Sequence, residues 1–457
     1  MASISSSTGP LDVQGLVSQL MTVAKQPYNR MNSQLSSTNS QISDYGALSS
    51  DLTALQGTLT SLSSGQFVHS FKATSSNTTV LNGTATSTAN PGNYSITVNS
   101  LATSQNLALT GQASSSTSFG NTADTLKFSF GDGTSASVNV DANATLDQIS
   151  NAINSAGIGV SASVVKADNS ASPYRLVLTG TTVGASKSFS TSTASGQAAL
   201  SFFNFNAASA VDGTGAITDS RLTSAAKDAS LVVNGLTMTS SSNTVTNAIN
   251  GVTLNLTQSG SSMLTVASDS AAIQAKVQSF VDAYNKVANN ASNLYKTSLQ
   301  GDFTLVSLQS QFAKILNTPI AGADGTTTVA YLAQAGISLQ KDGTLKLDAT
   351  ALNTAITNNA NAVVNLFGND NNDGFAQRFN NTINNYLGPT GLVTTRTTTL
   401  NTQVKTMKDK MSQEANRLDV VQAGYLSLYT KLNSSLMQMQ QTSTSLTSML
   451  ASLNANK

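Results

Sequence analysis

From Leu400 to Leu453 the chain steps by alternating four and three residues through Leu400, Val404, Met407, Met411, Glu414, Leu418, Val421, Tyr425, Leu428, Leu432, Ser435, Met439, Thr442, Leu446, Met449 and Leu453. Only three of those positions are polar. A heptad repeat held this far, with no proline after Pro389, predicts a helix that needs a partner along one seam and supercoils left-handed with it. The other reading is one long helix packed inside a globular bundle, although helices well beyond about 25 residues are uncommon there. The two readings can coexist along its length. The N-terminal end answers with Tyr28, Met31, Leu35, Thr38, Ile42 and Tyr45, then Leu48, Leu52, Leu55, Leu59 and Leu62. Two consecutive steps of three at Tyr45 and Leu48 make a stammer, and the local overwinding predicts a change of partner or a bend. Before it, Leu11, Leu16, Val17 and Leu20 form a short amphipathic segment entered through Gly9-Pro10, and Pro27 predicts a break or kink after it.

Between about Phe67 and Ser268 the period changes. Short alternating runs such as NYSITVNSL, LKFSF, ASVNV, YRLVLTG and VTLNLTQ, separated by Gly, Asn and Asp, read as strands. Gly131-Asp132-Gly133 and Asn234-Gly235 supply hairpin turns, because both offer residues tolerant of positive φ. Thr145 to Ile153 reads as a single helix, with Thr145 as N-cap and Gly157 at its end. The Ser/Thr/Gly/Ala-rich stretches from Thr110 to Thr122 and from Thr191 to Ala199 read as hinges. Strands around Tyr94 and Leu254 are expected to pair across an insertion.

Helices resume at Ala271, where Ile273, Val277, Phe280, Val281, Tyr284 and Val287 share one face. A hairpin turning at Asp342-Gly343 follows, then a helix through Leu352, Ile356, Val363, Val364 and Phe367 that ends near Gly368. The expected class is therefore α+β and multidomain: an antiparallel coiled coil or helical bundle built from both termini, with β-rich domains inserted in the middle. Its divisions are residues 1–66 (helical), 67–112 with 222–268 (a discontinuous β-rich domain), 113–221 (an inserted outer β-rich domain), 269–389 (α/β, packing on the terminal helices) and 390–457 (the heptad helix).

Composition narrows the partners. Only 10% of the residues are charged, against roughly a quarter in ordinary soluble domains, so Ser, Thr, Asn and Gln must provide the wet surface. A net charge of +1 supplies no field to draw the chain to nucleic acid or an anionic membrane. Few Glu–Lys pairs support the long helices, so the ends are expected to be frayed alone and ordered in an assembly. The N-terminus shows no secretory n- and h-regions, and no apolar run approaches the roughly 18 residues of a membrane span.

Candidate chemistry is sparse. With no cysteine, thiolate metal sites, disulfides and cysteine nucleophiles are excluded together. The one histidine, His69 in FVHSFK, leaves at most one Ser–His–Asp arrangement and no His-rich metal site. No spacing positions a carboxylate pair, and Trp, which often lines sugar sites, is absent. The loop Asn369–Gly374 has the oxygen side chains and glycine of a half calcium loop, but Asn380 stands where the bidentate carboxylate would be. Neither an enzyme nor a cofactor is expected.

Several strings, in their order along the chain, carry a resemblance: LDVQGLVSQLM, GNYSITVNSLATSQ, TLDQISNAINSAGIGVSASVV with YRLVLTG, SNTVTNAINGVTLNLT, FVDAYNKV, GISLQKDGTLKLD and the heptads through YLSLYTKL. Together they resemble flagellar hook-associated protein 2, the filament-capping family of bacterial flagella. Thr8-Gly9-Pro10 departs from the Gly-rich turn usual before Leu-Asp in that family. The resemblance implies an extracellular protein at the flagellum tip, forming a ring of a few copies that helps exported flagellin fold and insert. It implies partners among its own copies, flagellin, the hook–filament junction proteins and a cytoplasmic export chaperone. It further implies export by the flagellar type III route without a cleavable signal. Leu11, Leu16, Val17, Leu20, Met439, Leu446, Met449, Leu450 and Leu453 are then expected at the interface with other chains. Met31, Leu35, Ile42, Tyr45, Leu52, Leu59, Leu400, Val404, Met407, Met411, Leu418, Val421, Tyr425, Leu428 and Leu432 are expected along an intrachain seam. The alternative function is a surface adhesin whose β domains bind glycans on a helical stalk.

Overall fold

The computed structural model describes residues 11–167, 170–320 and 329–455, with side chains as far as Ser452. Thr8, Gly9, Pro10 and the side chain of Leu453 lie outside the described residues. The chain opens with α1 (Val13–Ala24) and α2 (Gln26–Ser63). Strands follow: β1 (Phe71–Ser75), β2 (Leu81–Ala85), β3 (Gly92–Ser100), β4 (Asn106–Ala108), β5 (Asp124–Phe130) and β6 (Ser135–Val140). After α3 (Leu146–Ala156) come β7 (Val160–Lys166), β8 (Tyr174–Gly180), β9 (Phe189–Thr193) and β10 (Leu222–Ser224). Then come β11 (Ala229–Val233), β12 (Leu236–Ser240), β13 (Thr244–Ile249), β14 (Val252–Leu256) and β15 (Gly260–Ser268). The chain closes with α4 (Ser270–Lys296), α5 (Phe303–Asn317), the hairpin β16 (Ile337–Leu339) and β17 (Leu345–Leu347), α6 (Ala349–Phe367), α7 (Phe375–Leu387) and α8 (Leu392–Ala455). This is the α+β class the patterns imply, divided into two compact units: residues 1–67 with 273–457, and residues 68–272.

The first unit is organised by α2. Tyr45, Leu48, Leu52, Leu55, Leu59 and Leu62 are wholly buried, whereas Met31, Leu35 and Ile42 before them are only half-buried. The stammer marks that transition. Helix α2 packs on α8, α7 and α6, and past Tyr45 its Gln56 Nε2 donates to Asn384 Oδ1 of α7 at 2.9 Å. The helix keeps helical geometry through the stammer. Aromatic rings fill the core: Phe312 stacks on Tyr284 at 5.8 Å, and Phe379 meets Phe312 edge-on at 5.0 Å. A buried carboxylate, Asp51, is held by Asn290 Nδ2 at 2.7 Å and Lys286 Nζ at 3.0 Å. Two helices of this core, α5 and α7, were not read from sequence, and α6 carries an unexpected kink at Asn359 (φ −158°, ψ 87°).

The second unit has two cores. An inner one lies between the sheet β1-β15-β3-β11-β12 and the sheet β13-β14-β2, with Leu81, Ile96, Leu231, Leu254 and Leu264 at its centre. An outer one is made by β10-β4-β8-β7, β6-β5-β9 and α3, around Leu126, Phe128, Ile149, Phe189 and Phe203. The outer helix has the caps its sequence specifies: Thr145 and Gln148 form a capping box, and Gly157 closes the helix at φ 59°. Where the sequence divided the chain at 112 and 222, β4 and β10 sit in the outer sheet and the inner core ends near Ala102 and resumes at Ala229. Pairing across the insertion differs in partner as well. Tyr94 faces Leu264, while Leu254 faces Gly83.

The expected hinge at Thr110–Thr122 is pinned to the outer domain. Gln112 exchanges backbone bonds with Tyr174 at 2.7 and 3.0 Å, and the Phe119 N–H donates to Ala144 at 2.9 Å. Between the two cores the crossing strands are themselves bonded, Thr103 to Lys227 at 2.9 Å. Beside that bridge the buried Gln105 amide clasps both the N–H and the C=O of Phe189, at 2.9 and 2.7 Å. Composition read as flexibility is here small residues in closely packed backbone.

Two glycines of the first unit give opposite tests. A Cβ on Gly368, just after α6, would lie 2.2 Å from the carbonyl oxygen of Ser63, whereas Gly57 in α2 has open space. Gly368→Ala should cost about 2 kcal/mol of stability, as overpacking does. Gly57→Ala should add about 0.5–1 kcal/mol by removing backbone freedom from the unfolded chain. Urea unfolding of the two variants followed by circular dichroism checks both signs.

Candidate assembly surface

Both chain ends meet along α8. Val13, Val17 and Met21 of α1 are buried against Leu418, with Val421, Tyr425, Leu426 and Tyr429 packed around them. Asp12 caps α1 by accepting the Gly15 N–H at 2.9 Å. Pro27 falls in the first turn of α2, where its missing N–H is least costly, and Lys25 before it keeps a right-handed helical conformation (φ −78°, ψ −8°). The far end of the pair is fixed by Asn433, which is 4% exposed and accepts the Leu11 N–H through Oδ1 at 3.1 Å. Because Leu11 meets Asn433 while Tyr45 and Arg396 share a partner, the two ends run antiparallel. An open groove of about 500 Å³ runs beside them, lined by Gln14, Val17, Ser18, Met21, Thr22, Lys25, Gln422 and Leu426.

That shared partner is Asp302, the N-cap of α5. Its Oδ2 receives the Tyr45 hydroxyl at 2.6 Å and lies 3.4 Å from Arg396 Nε, while Oδ1 takes the Thr304 N–H at 2.8 Å. One carboxylate thus ties α2, α5 and α8. Burial by itself would raise the Asp302 carboxyl, but the Tyr45 hydroxyl, the Thr304 amide and hydroxyl and the Arg396 guanidinium outweigh it and hold it below the ordinary value. Tyr45 is pushed up to about 12, first by burial and then by the carboxylate it binds.

Beyond Asn433 the pairing stops among the described residues. Helix α8 continues to Ala455, and every side chain from Met437 to Ser452 is exposed. Met439 and Met449 are each 69% exposed on the heptad stripe, with Leu446 between them at 55%. No charged side chain occurs from Leu432 to Asn456. The stripe is therefore apolar on one face and neutral on all others.

The expected seam maps onto this geometry in three zones. Tyr45, Leu52, Leu59, Leu400, Val404, Met411 and Leu418 are buried, and Met31, Leu35, Ile42, Met407, Val421 and Tyr425 are half-buried. Leu428 and Leu432 are exposed at 59% and 45%, because α1 presents Val13, Val17 and Met21 to a different strip of α8. Of the residues expected to face other chains, Val17 is buried within this one and Leu11, Leu16 and Leu20 are half-buried; Met439, Leu446, Met449 and Leu450 stand free. Asn433 and the Asp302 node were missed. A lone Asn in an apolar stripe was the available signal for the first, and an Asp just ahead of FTLVSL, at an N-cap position, for the second.

The other candidates are structural. His69 is exposed, 6.3 Å from the Phe71 ring. In the Asn369 loop the first and fifth oxygen positions are engaged within the chain: Asn369 Oδ1 accepts the Asp373 N–H at 3.0 Å, and Asp373 pairs with Arg378 at 2.8 Å, while Asn371 is exposed. Among the described residues no group of three or more His, Asp or Glu could hold a metal, and no helix is long and apolar enough to cross a membrane.

Comparison with known proteins accounts for the arrangement. Flagellar hook-associated protein 2 N-terminus matches residues 10–105, flagellar hook-associated protein 2 C-terminus matches residues 226–441, and the flagellin hook IN motif matches residues 125–182. The B-type flagellar hook-associated protein 2 of Pseudomonas aeruginosa is 31% identical over 389 residues, 80% of each chain. The chain belongs to the flagellar hook-associated protein 2 family. The Escherichia coli K12 member is 29% identical over 379 residues, 78% of each chain. The D1-D2-D3 domains of the Escherichia coli flagellar cap protein superpose with a TM-score of 0.65 at 31% identity, covering 78% of this chain and 99% of that one. These matches favour the flagellar reading over the adhesin.

The Asp302 node gives a pH-dependent test. A carboxyl held low in the folded state stabilises above its unfolded value of about 3.9, and that contribution is lost as pH falls through the folded value. Tyr45→Phe should cost about 1–2 kcal/mol at pH 7 by leaving the carboxylate short of a donor. The penalty should shrink as pH falls below the unfolded value of about 3.9 and through the lower folded value, where Asp302 takes up a proton. Urea midpoints of both proteins at pH 7 and along an acid series check it.

Proposed function

We propose that this chain caps the distal tip of the flagellar filament as a ring of identical copies and promotes the folding and insertion of exported flagellin subunits. The observation that carries the reading is the exposed heptad stripe from Met439 to Met449, which continues a coiled coil whose intrachain partner, among the described residues, reaches no further than Asn433. A helix with weak intrinsic propensity and an apolar seam is completed by another helix along that seam. In a cap, that helix belongs to a neighbouring copy or to the filament, and Leu11, Leu16 and Leu20, half-buried at the other end of the chain, leave part of their surface for the same contact. Leu453 continues the stripe in sequence.

Family membership supports the rest of the reading: location at the flagellum tip, flagellin and the hook–filament junction proteins as partners, and an export chaperone before secretion by the type III route without a cleavable signal. The low charge agrees with it. A surface whose polarity comes from hydroxyls and amides accommodates many neighbours without like-charge repulsion. The Asp302 node and the buried half of α2 keep the first unit folded whether or not the stripe is occupied.

The test is a pair of substitutions on the stripe, Met439→Asp with Leu446→Asp, placed in cells that lack their own cap protein. Flagellin should escape into the medium as monomer, while the purified variant unfolds within about 0.5 kcal/mol of the parent, as exposed substitutions do. Wild-type filament lengths in that variant would overturn the reading. Raising salt from about 0.1 to about 1 M, which shortens the Debye length from about 10 to about 3 Å, should leave attachment of the parent protein to filaments unchanged within about twofold.

A further inference from the structure

The stripe contains a chemistry that assembly does not require. The chain has no cysteine and no tryptophan, so its softest oxidisable groups are the thioethers of its ten methionines. Their exposure is graded, with Met31, Met238 and Met407 half-buried between two extremes. Met21 and Met411 are buried at 4% and 8%, whereas Met439 and Met449 are each 69% exposed, both on the heptad seam. Met437 and Met263 are also exposed, at 44% and 45%, but Met437 lies off the seam on the same helix and Met263 sits on strand β15 of the other unit.

We propose that Met439 and Met449 are a reversible oxidation site by which peroxide-class oxidants switch off assembly of the free chain, an inference that rests on the stripe being the assembly seam. Each thioether sulfur attacks one peroxide oxygen. The O–O bond breaks, the sulfur is oxidised by two electrons to the sulfoxide, and the second oxygen leaves as water. The flexible apolar side chain becomes a polar, chiral one. Burying that S–O dipole in an apolar seam costs its hydration, because the flanking Leu446 and Leu450 offer no donor. Reduction of the sulfoxide restores the thioether, one reductase type serving each epimer. Once the seam is occupied the same sulfurs are covered, so the switch acts on chains before incorporation.

The experiment uses the purified full-length protein treated with hydrogen peroxide, read residue by residue by peptide mass and assayed for attachment to cap-less filaments by sedimentation. Met439 and Met449 should oxidise at least about tenfold faster than Met21 and Met411, and attachment should fall about tenfold or more, the equivalent of one substantial contact. Methionine sulfoxide reductases of both types should restore it. The variant Met439→Leu with Met449→Leu should attach equally well before and after treatment, even with Met263 and Met437 fully oxidised. Equal oxidation of buried and exposed methionines, undiminished attachment of the oxidised parent, or loss of attachment by the oxidised double variant would each overturn the proposal. Failure of the untreated parent to attach at all would instead overturn the assembly reading beneath it.

Discussion

The first unit depends on the packing of the N-terminal segment, α1 and then α2, along α8, from the Leu11–Asn433 contact at one end to the Tyr45–Asp302–Arg396 node at the other. Neither α2 nor α8 is a strong helix by composition. Ser, Thr and Asn are frequent in both, and such residues lower intrinsic helicity. Stability must therefore come from burial along one stripe, which explains why six apolar positions of α2 from Tyr45 to Leu62 are wholly removed from water. Once α2 is fixed, α6 and α7 have a surface to pack on, and the aromatic cluster around Phe280 and Phe379 closes behind them.

The same constraint sets how far the described N-terminal residues reach. Helix α1 is 12 residues long, and with Leu11 ahead of it these residues cover α8 as far as Asn433. The remaining heptads keep their apolar period with no partner among the described residues. A stripe that is regular in sequence and half-occupied in the folded chain separates internal stability from association, since buried positions serve the first and exposed ones the second. The two roles share one helix of 64 residues, roughly 95 Å long at about 1.5 Å per residue.

What sequence made legible follows from how local each signal is. Heptad stepping, the stammer at Tyr45, the caps of α3 and the turn at Asn234-Gly235, with φ of 49° and 87°, are written in a few neighbouring residues and appear where expected. Strand partners are not local. Tyr94 faces Leu264 rather than a residue near Leu254 because register depends on which faces close the core, and alternation alone fits several pairings. The apparent hinge at Thr110–Thr122 failed for a related reason: small residues signal freedom only where the backbone lacks partners, and Gln112 has one in Tyr174. For the site, the period identified the stripe but could not say which part of it the chain's own N-terminal residues cover. Among the described residues that cover reaches one buried side chain, Asn433, whose value lies in a backbone N–H 422 residues away.

The chemistry of the exposed part of α8 suits burial better than its polarity suggests. Thr442, Thr444, Thr447 and Ser448 each donate their hydroxyl to the carbonyl four residues earlier, at 2.6–2.8 Å. A hydroxyl bonded to its own helix has little left to lose when water is removed, so the desolvation penalty of an ordinary polar face is largely absent. Back-bonding of this kind weakens an isolated helix slightly, since it competes with backbone geometry. The result is a rod with weak intrinsic helicity, no charge to repel a neighbour and hydroxyls already bonded to their own helix. The amides of Gln438, Gln440 and Gln441 are the donors a partner must satisfy or leave in water. Those properties let a helix stay hydrated alone and still be buried along one seam.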